Sequence, residues 1–222
     1  MLSKIFCYGA MTLRCTEFGV VPLAAQSIMM RIFFFFACFG DSFSQTAQSY
    51  LPATLVQQRE SSDSSNPSSS SKPFSRVFHK LLVLAGLAGL ANSQISSFVL
   101  RKCGKFFLSS SSGGQDNSLI TNIMHNHAGY MSLAILLHPF IMLLEGTVLA
   151  SQDFSTLWWT YATTTVLHFG ILHLLCGSFT GVWRTFVLFQ ATRLSLYSWR
   201  VWRRRQKQQQ QQQTNRLATS SL

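Results

Sequence analysis

Acidic side chains are scarce in this chain, which has seven Asp and Glu against 18 Lys and Arg among its 222 residues. Charged residues of both signs make up only 11% of the sequence, where an average soluble domain has about 25%. Hydrophobic residues account for 47%, including 19 Phe. So little charge excludes an ordinary water-soluble surface, and the composition predicts an integral membrane protein.

The formal net charge of +11 would suggest a nucleic-acid partner in a soluble protein. Here the basic residues flank apolar runs, which favours contact with an anionic membrane surface and no nucleic acid. Five cysteines are scattered along the chain without metal-ligand spacing. Neither a disulfide framework nor a metal site built from cysteines is therefore expected.

The first 118 residues divide into two segments by composition. Residues 1–75 look like a targeting sequence followed by a low-complexity stretch. An apolar run at 29–36 is interrupted by Arg31, which favours a targeting core over a membrane helix. The Ser-rich stretch 60–72 predicts disorder. Residues 76–118 are basic, and their apolar part, 81–100, is either a membrane span or the core of a bipartite targeting signal.

The strongest membrane signal lies between residues 119 and 181. Glu145 is the only formal charge from 120 to 150, and none occurs from 154 to 181. The short polar joint at 151–155 predicts an antiparallel transmembrane hairpin. With one or two further helices, the fold class is an all-α membrane protein of two to four spans with disordered ends.

Basic residues flank the far ends of this hairpin, and the acidic Asp153 lies on its joint. The positive-inside rule therefore places both far ends toward the matrix or cytoplasm and the joint on the opposite side. Residues 182–205 are either a third span or an amphipathic helix on the membrane surface, because arginines interrupt their apolar pattern. Residues 206–222 form a Gln-rich tail. Contact with cardiolipin, other anionic lipid or a partner subunit is expected for four arginines: Arg184, Arg203, Arg204 and Arg205.

Five histidines lie in or beside the hairpin: His125, His127, His138, His168 and His173. An antiparallel hairpin places all of them except His138 at a similar depth, near the matrix-side ends of its helices. Imidazoles in a membrane segment can ligate a b-type haem or hydrogen-bond a quinone. The alternative is that each bonds a backbone carbonyl or a hydroxyl of a neighbouring helix.

Two short motifs resemble one family. Residues 121–129 read TNIMHNHAG, which resembles the signature that opens the first helix of the succinate dehydrogenase cytochrome b subunit, a membrane anchor of complex II. Residues 170–174 read GILHL, which resembles the end of the second helix in the same family. The resemblance covers about 60 residues and implies a mitochondrial inner-membrane subunit of the respiratory chain that is itself non-catalytic.

The resemblance also implies site residues, cofactors and partners. Quinone-binding residues would be Asn122, His125 and Asn126, and haem-binding residues would be His127, His168 and His173. The family's quinone-contacting serine and arginine are replaced by Asn122 and Asn126, and its axial histidine falls on Val166, two residues before His168. The cofactors would be ubiquinone and, if a histidine shifted by two residues can still serve as the ligand, haem b. The partners would be the flavoprotein, the iron–sulfur subunit and a second membrane anchor.

Two other functions fit the same pattern. A structural accessory subunit of another respiratory complex or of ATP synthase would need the helices but none of the histidine chemistry. A small haem b electron-transfer protein would need two axial histidines from this chain.

Overall fold

A computed structural model of the chain describes residues 2–63, 72–107, 114–174 and 176–220. Within these ranges the secondary structure is helical and contains no strand, which confirms the predicted all-α class. The predicted disorder at 60–72 falls mostly outside the described residues. The six α-helices are α1 (Leu2–Thr16), α2 (Val20–Asp63), α3 (Lys72–Lys102), α4 (Gly114–Ala150), α5 (Phe154–Leu174) and α6 (Phe179–Ser220), with a 3₁₀ turn at Gly104–Phe107.

Three of the described helices are long and apolar enough to cross a membrane, in the segments Val20–Thr54, Ser75–Lys102 and Asp116–Ala150. The last is the first half of the predicted hairpin, and the second contains the 81–100 stretch. Val20–Thr54 includes the run at 29–36 that favoured a targeting core. Arg31 does not break this helix, because its side chain lies on the exposed face.

The helices α5 and α6 are not among these three segments. Trp, Tyr and Thr residues lower the hydropathy of α5, and arginines lower that of α6. Both helices nevertheless pack into the bundle. The first half of α6 buries Trp183, Phe186, Arg193 and Tyr197, so one face of this helix packs into the bundle as far as Val201.

Contacts between side chains give the direction of α6 relative to α4. His127 contacts Thr180 near the start of both helices, Glu145 pairs with Arg193 in their middle parts, and Asp153, just after α4, pairs with Arg200. The two helices therefore run parallel, with α5 returning between them.

The direction of α3 also alternates with that of α4. On α3, Ser97 bonds Ser132 of α4 while Gly86 lies opposite Phe140, so α3 is antiparallel to α4. Lys4 of α1 pairs with Glu145. The bundle thus has two ends, which we call the His125 end (the start of α4, the end of α5 and the start of α6) and the Asp153 end (the α4–α5 joint and residues 200–204 of α6).

The arginines for which contact with anionic lipid or a partner subunit was expected lie at both ends of the bundle. Arg184 lies at the His125 end, where it bonds Tyr130. Arg204 lies at the Asp153 end, where it pairs with Asp153, and Arg203 stacks on Trp199 one turn before it. The side chain of Arg205 is outside the described part of the chain. Arg184 and the arginines after Arg200 therefore contact opposite membrane surfaces if the bundle spans the bilayer.

Close backbone approach brings α2 against α4. A Cβ atom at Gly146 would lie 2.6 Å from the carbonyl oxygen of Ser44 and 2.7 Å from its Cα atom. Such distances are below any normal contact, and the neighbour is backbone rather than a movable side chain. Gly146 therefore lets the two helices touch, as small residues do at helix interfaces in membranes.

Gly146→Ala should lower the stability of the folded chain by about 1–3 kcal/mol, because the new methyl group must push α2 away from α4. The measurement is thermal unfolding of the purified protein in detergent, followed by circular dichroism. Gly129→Ala on the same helix is the matched control, since a Cβ there meets nothing within 4 Å. Equal midpoints for the two variants would contradict this packing.

Candidate functional site

Three polar side chains share one exposed face at the start of α4. His125 and Asn126 follow Asn122 by three and four residues, and all three side chains are exposed. Both therefore lie beside Asn122 on the helix surface. Asn126 Nδ2 donates to Asn122 Oδ1 across a long 3.4 Å. The face lies inside the apolar segment Asp116–Ala150. It therefore presents exposed amide and imidazole groups near one end of an apolar helix.

His127 faces another side of α4 and has both ring nitrogens engaged. Nδ1 lies 2.8 Å from the carbonyl oxygen of Ile123, and Nε2 lies 2.9 Å from the hydroxyl of Thr180 on α6. The ring of Phe179 packs edge-on against the imidazole at 4.8 Å. His127 therefore joins the starts of α4 and α6, which is the bonding described above as the alternative to a ligand role.

A cation lies on the same end of the bundle. Arg184 Nε donates to Tyr130 Oη over 3.2 Å, and the arginine side chain is exposed. Arg14 of α1 donates to the backbone carbonyl of Cys176, with its Nη2 at 2.9 Å. The His125 end thus combines neutral hydrogen-bonding groups with guanidinium groups, a set suited to a polar or anionic partner surface.

The three histidines predicted to bind haem lie in different surroundings. Both ring nitrogens of His127 are bonded, as described above, and His173 is exposed, with its ring stacked on Phe169. His168 is buried against Phe189, and neither ring nitrogen has hydrogen-bond geometry, although the Cys7 backbone lies nearby. The described residues contain no group of three His, Cys, Asp or Glu side chains that could hold a metal ion.

A second polar cluster lies in the bundle interior around Glu145, whose side chain is only 4% exposed. Oε2 accepts from Arg193 Nη2 at 2.5 Å, and Oε1 accepts from Lys4 Nζ at 2.9 Å and from Tyr161 Oη at 2.7 Å. Arg193, which is fully buried, also donates to Gln190. The cluster joins α1, α4, α5 and α6 through one carboxylate.

The charges in this cluster are unequal. Two cations, Lys4 and Arg193, share one anion, Glu145. A buried charge without a partner lowers the stability of the fold by several kcal/mol. Loss of the Glu145 carboxylate should therefore be more destabilising than loss of either cation. Removing one cation leaves a neutral pair, whereas removing the carboxylate leaves two buried positive charges.

Sequence reasoning did not find this cluster. The sequence pattern gave Glu145 no partner, and Lys4 lies in the segment 1–75 that was interpreted as targeting-like. The available signal was that one acid in a long apolar segment requires a basic partner. Arg193 satisfied that condition, but Lys4 is 141 residues from Glu145 in sequence, and no local pattern links them.

Asp153 fixes the opposite end of the bundle. It lies on the α4–α5 joint, accepts from Thr156 at the start of α5 and pairs with Arg200 and Arg204, both through Oδ2. Partial burial raises the pKa of this carboxyl, but the bonds from Arg200 and Thr156 and the charge of Arg204 outweigh it and lower the pKa to about 2. Asp153 is therefore ionised at neutral pH and holds α6 to the joint.

Comparisons with protein-family models, with curated proteins and with solved structures find no match for this chain. The geometry of the two polar clusters is therefore the basis for any functional assignment.

Glu145→Gln should lower the stability of the folded chain by about 3–5 kcal/mol, because it leaves Lys4 and Arg193 buried without an anion. Lys4→Met should have a clearly smaller effect, since the Glu145–Arg193 pair remains. Unfolding of both variants in detergent, compared with the parent chain, measures the difference. If Lys4→Met were as damaging as Glu145→Gln, the unequal charge balance would not control stability.

Proposed function

We propose that this chain is a membrane anchor of a complex II-type succinate:quinone oxidoreductase in the mitochondrial inner membrane. In this role it holds the peripheral subunits at the His125 end and contributes part of a ubiquinone pocket there. It does not oxidise succinate itself. The motif resemblance at 121–129 and 170–174 suggests the family, and the exposed polar face of Asn122, His125 and Asn126 supports the assignment.

The exposed polar face is the observation that carries this proposal. Amide and imidazole groups on the outside of an apolar helix are costly unless another molecule covers them. A quinone ring has carbonyl oxygens that accept hydrogen bonds from such donors, and a docked iron–sulfur subunit would exclude lipid and water. Asn122 and Asn126 supply donors without charge, so they suit a neutral quinone carbonyl.

Arg184 has a different role in this proposal. Its guanidinium group is exposed at the same end and is oriented by Tyr130. An exposed cation beside a quinone pocket suits an acidic patch on a peripheral subunit or a cardiolipin headgroup. Basic residues lie at both ends of the bundle, so the orientation with the His125 end toward the matrix is part of the proposal.

Haem b is not required by this proposal, because His127 is bonded at both ring nitrogens and His173 is exposed. His168 is the buried histidine of the three without a hydrogen bond at its ring nitrogens. It is the residue that would serve as an axial ligand if a second imidazole came from the other membrane anchor. No electron-transfer step is assigned to it.

The test is isolation of the tagged chain from mitochondria in mild detergent, with assay of the complex that accompanies it. We expect co-purification with a succinate-oxidising flavoprotein and an iron–sulfur subunit. His125→Ala with Asn126→Ala should lower reduction of a ubiquinone analogue about tenfold or more, while electron transfer from succinate to a soluble dye is retained. Loss of the quinone reaction alone is expected because only the pocket is changed.

Ser195→Ala, an exposed position on α6, is the matched control and should leave both reactions unchanged. Co-migration with a proton-pumping complex or with ATP synthase would overturn the proposal in favour of an accessory subunit. Unchanged quinone reduction in the double variant would remove the polar face from the pocket even if the complex were the expected one.

A further inference from the structure

A cleft of about 410 Å³ opens between α1 and α2, with the ring of His138 from α4 at its floor. Its volume lies within the range of small-molecule sites, roughly 300–1,000 Å³. Most of the lining is apolar. Besides Tyr8, four lining residues have hydrogen-bonding groups in their side chains: Lys4, Thr12, Asp41 and His138. An apolar wall with a few convergent polar groups is the usual composition of a ligand pocket.

His138 is a buried polar side chain without a bonding partner. The imidazole is only 5% exposed, and neither ring nitrogen makes a hydrogen bond. The nearest carboxylate oxygen, Asp41 Oδ1, lies 3.7 Å from Nε2, which is beyond hydrogen-bond distance. An unbonded buried imidazole costs free energy, so its position at the cleft floor indicates a partner that belongs there.

Asp41 is a second polar group at the same place, and it faces the His138 ring. It lies well inside the apolar segment Val20–Thr54, yet its side chain is 54% exposed. A carboxylate facing lipid at this depth is expensive. Because the side chain is exposed, its carboxylate can swing outward by one rotamer and admit an oxygen atom between itself and the imidazole.

The charge around the cleft defines the class of ligand. An anionic headgroup would be repelled by the carboxylate of Asp41. A cationic headgroup would be repelled by Lys4 and by Arg193, which pairs with the same Glu145 as Lys4. A neutral head avoids both repulsions. Tyr8 and Phe34 form an aromatic wall, which suits a planar ring.

We propose that this cleft binds a neutral, lipid-soluble molecule with a hydroxyl group on an aromatic ring, the phenol class. The hydroxyl oxygen accepts a hydrogen bond from His138 Nε2–H, and its O–H donates a hydrogen bond to the Asp41 carboxylate. The ring lies against Tyr8 and Phe34, and an alkyl tail extends into the surrounding lipid. One ligand oxygen then bonds both His138 and Asp41.

This site is independent of the proposed quinone pocket. Its walls lie on α1 and α2, outside the two motifs that resemble the complex II anchor, and its floor residue is on α4, 13 positions beyond His125. Variants in the cleft are expected to leave ubiquinone reduction unchanged. Failure of one proposal can therefore be distinguished from failure of the other.

The test uses the purified full chain in nanodiscs and an alkylphenol that carries a photoreactive diazirine on the tail carbon next to the ring, so that the reactive carbon lies inside the cleft. We expect crosslinks to peptides of α1 and α2 that contain Ile5 and Phe34. Competing 4-nonylphenol should suppress them, and nonylbenzene, which lacks the hydroxyl group, should be at least fivefold weaker as a competitor.

Two variants should lower the labelling at least fivefold. His138→Phe removes the donor while keeping a ring of similar shape. Gly9→Leu fills the cleft from α1, where a Cβ meets nothing within 4 Å, so it decides the test if His138→Phe does not fold. His79→Phe, an exposed histidine on α3, is the matched control and should label normally.

Three results would overturn the proposal. Equal competition by nonylbenzene would mean that the cleft takes up apolar molecules without recognising the hydroxyl group. Unchanged labelling of folded His138→Phe, or of Gly9→Leu, would place the label elsewhere. Labelling of the purified chain that disappears in native membranes would mean that a protein partner occupies the cleft.

Discussion

A buried carboxylate must be paired, and in this protein that requirement holds the helical bundle together. Glu145 accepts from Arg193, Lys4 and Tyr161, which lie on three different helices. Apolar packing alone has little directional preference inside a membrane, since lipid tails are as apolar as the side chains. The ionic cluster supplies the direction: it fixes the level of α6 beside α4 and brings α1, a helix of only 15 residues, into the bundle.

The positions of the polar groups at the two ends follow from that pairing. With α6 parallel to α4, Thr180 meets His127 at one end and Arg200 meets Asp153 at the other. The exposed polar face of Asn122, His125 and Asn126 is then left at an end where a peripheral subunit could cover it. The cleft above His138 lies between these ends, so the polar face and the cleft are separate candidate sites.

Composition and hydropathy were sufficient to predict the helical class and the Asp116–Ala150 segment, because both depend on local sequence. They were not sufficient for α2, where Arg31 suggested an interrupted run although its side chain points outward. They predicted α5 as the second half of the hairpin, and that helix does pack in the bundle, but Trp and Thr residues lower its hydropathy and it is not among the three apolar segments. The histidine motif indicated the polar face at the start of α4. The Lys4–Glu145 pair and the His138 cleft depend on contacts between distant residues, which no local pattern reveals.

The most direct test of this account is the side of the membrane on which each end lies. Single cysteines at positions 125 and 203, in a chain whose five native cysteines are replaced by alanine or serine, would be labelled in sealed vesicles with a membrane-impermeant maleimide. The account predicts that one position reacts from outside and the other only after the vesicles are opened. Reaction of both positions from the same side would contradict it, because α6 would then lie along one membrane surface instead of running beside α4.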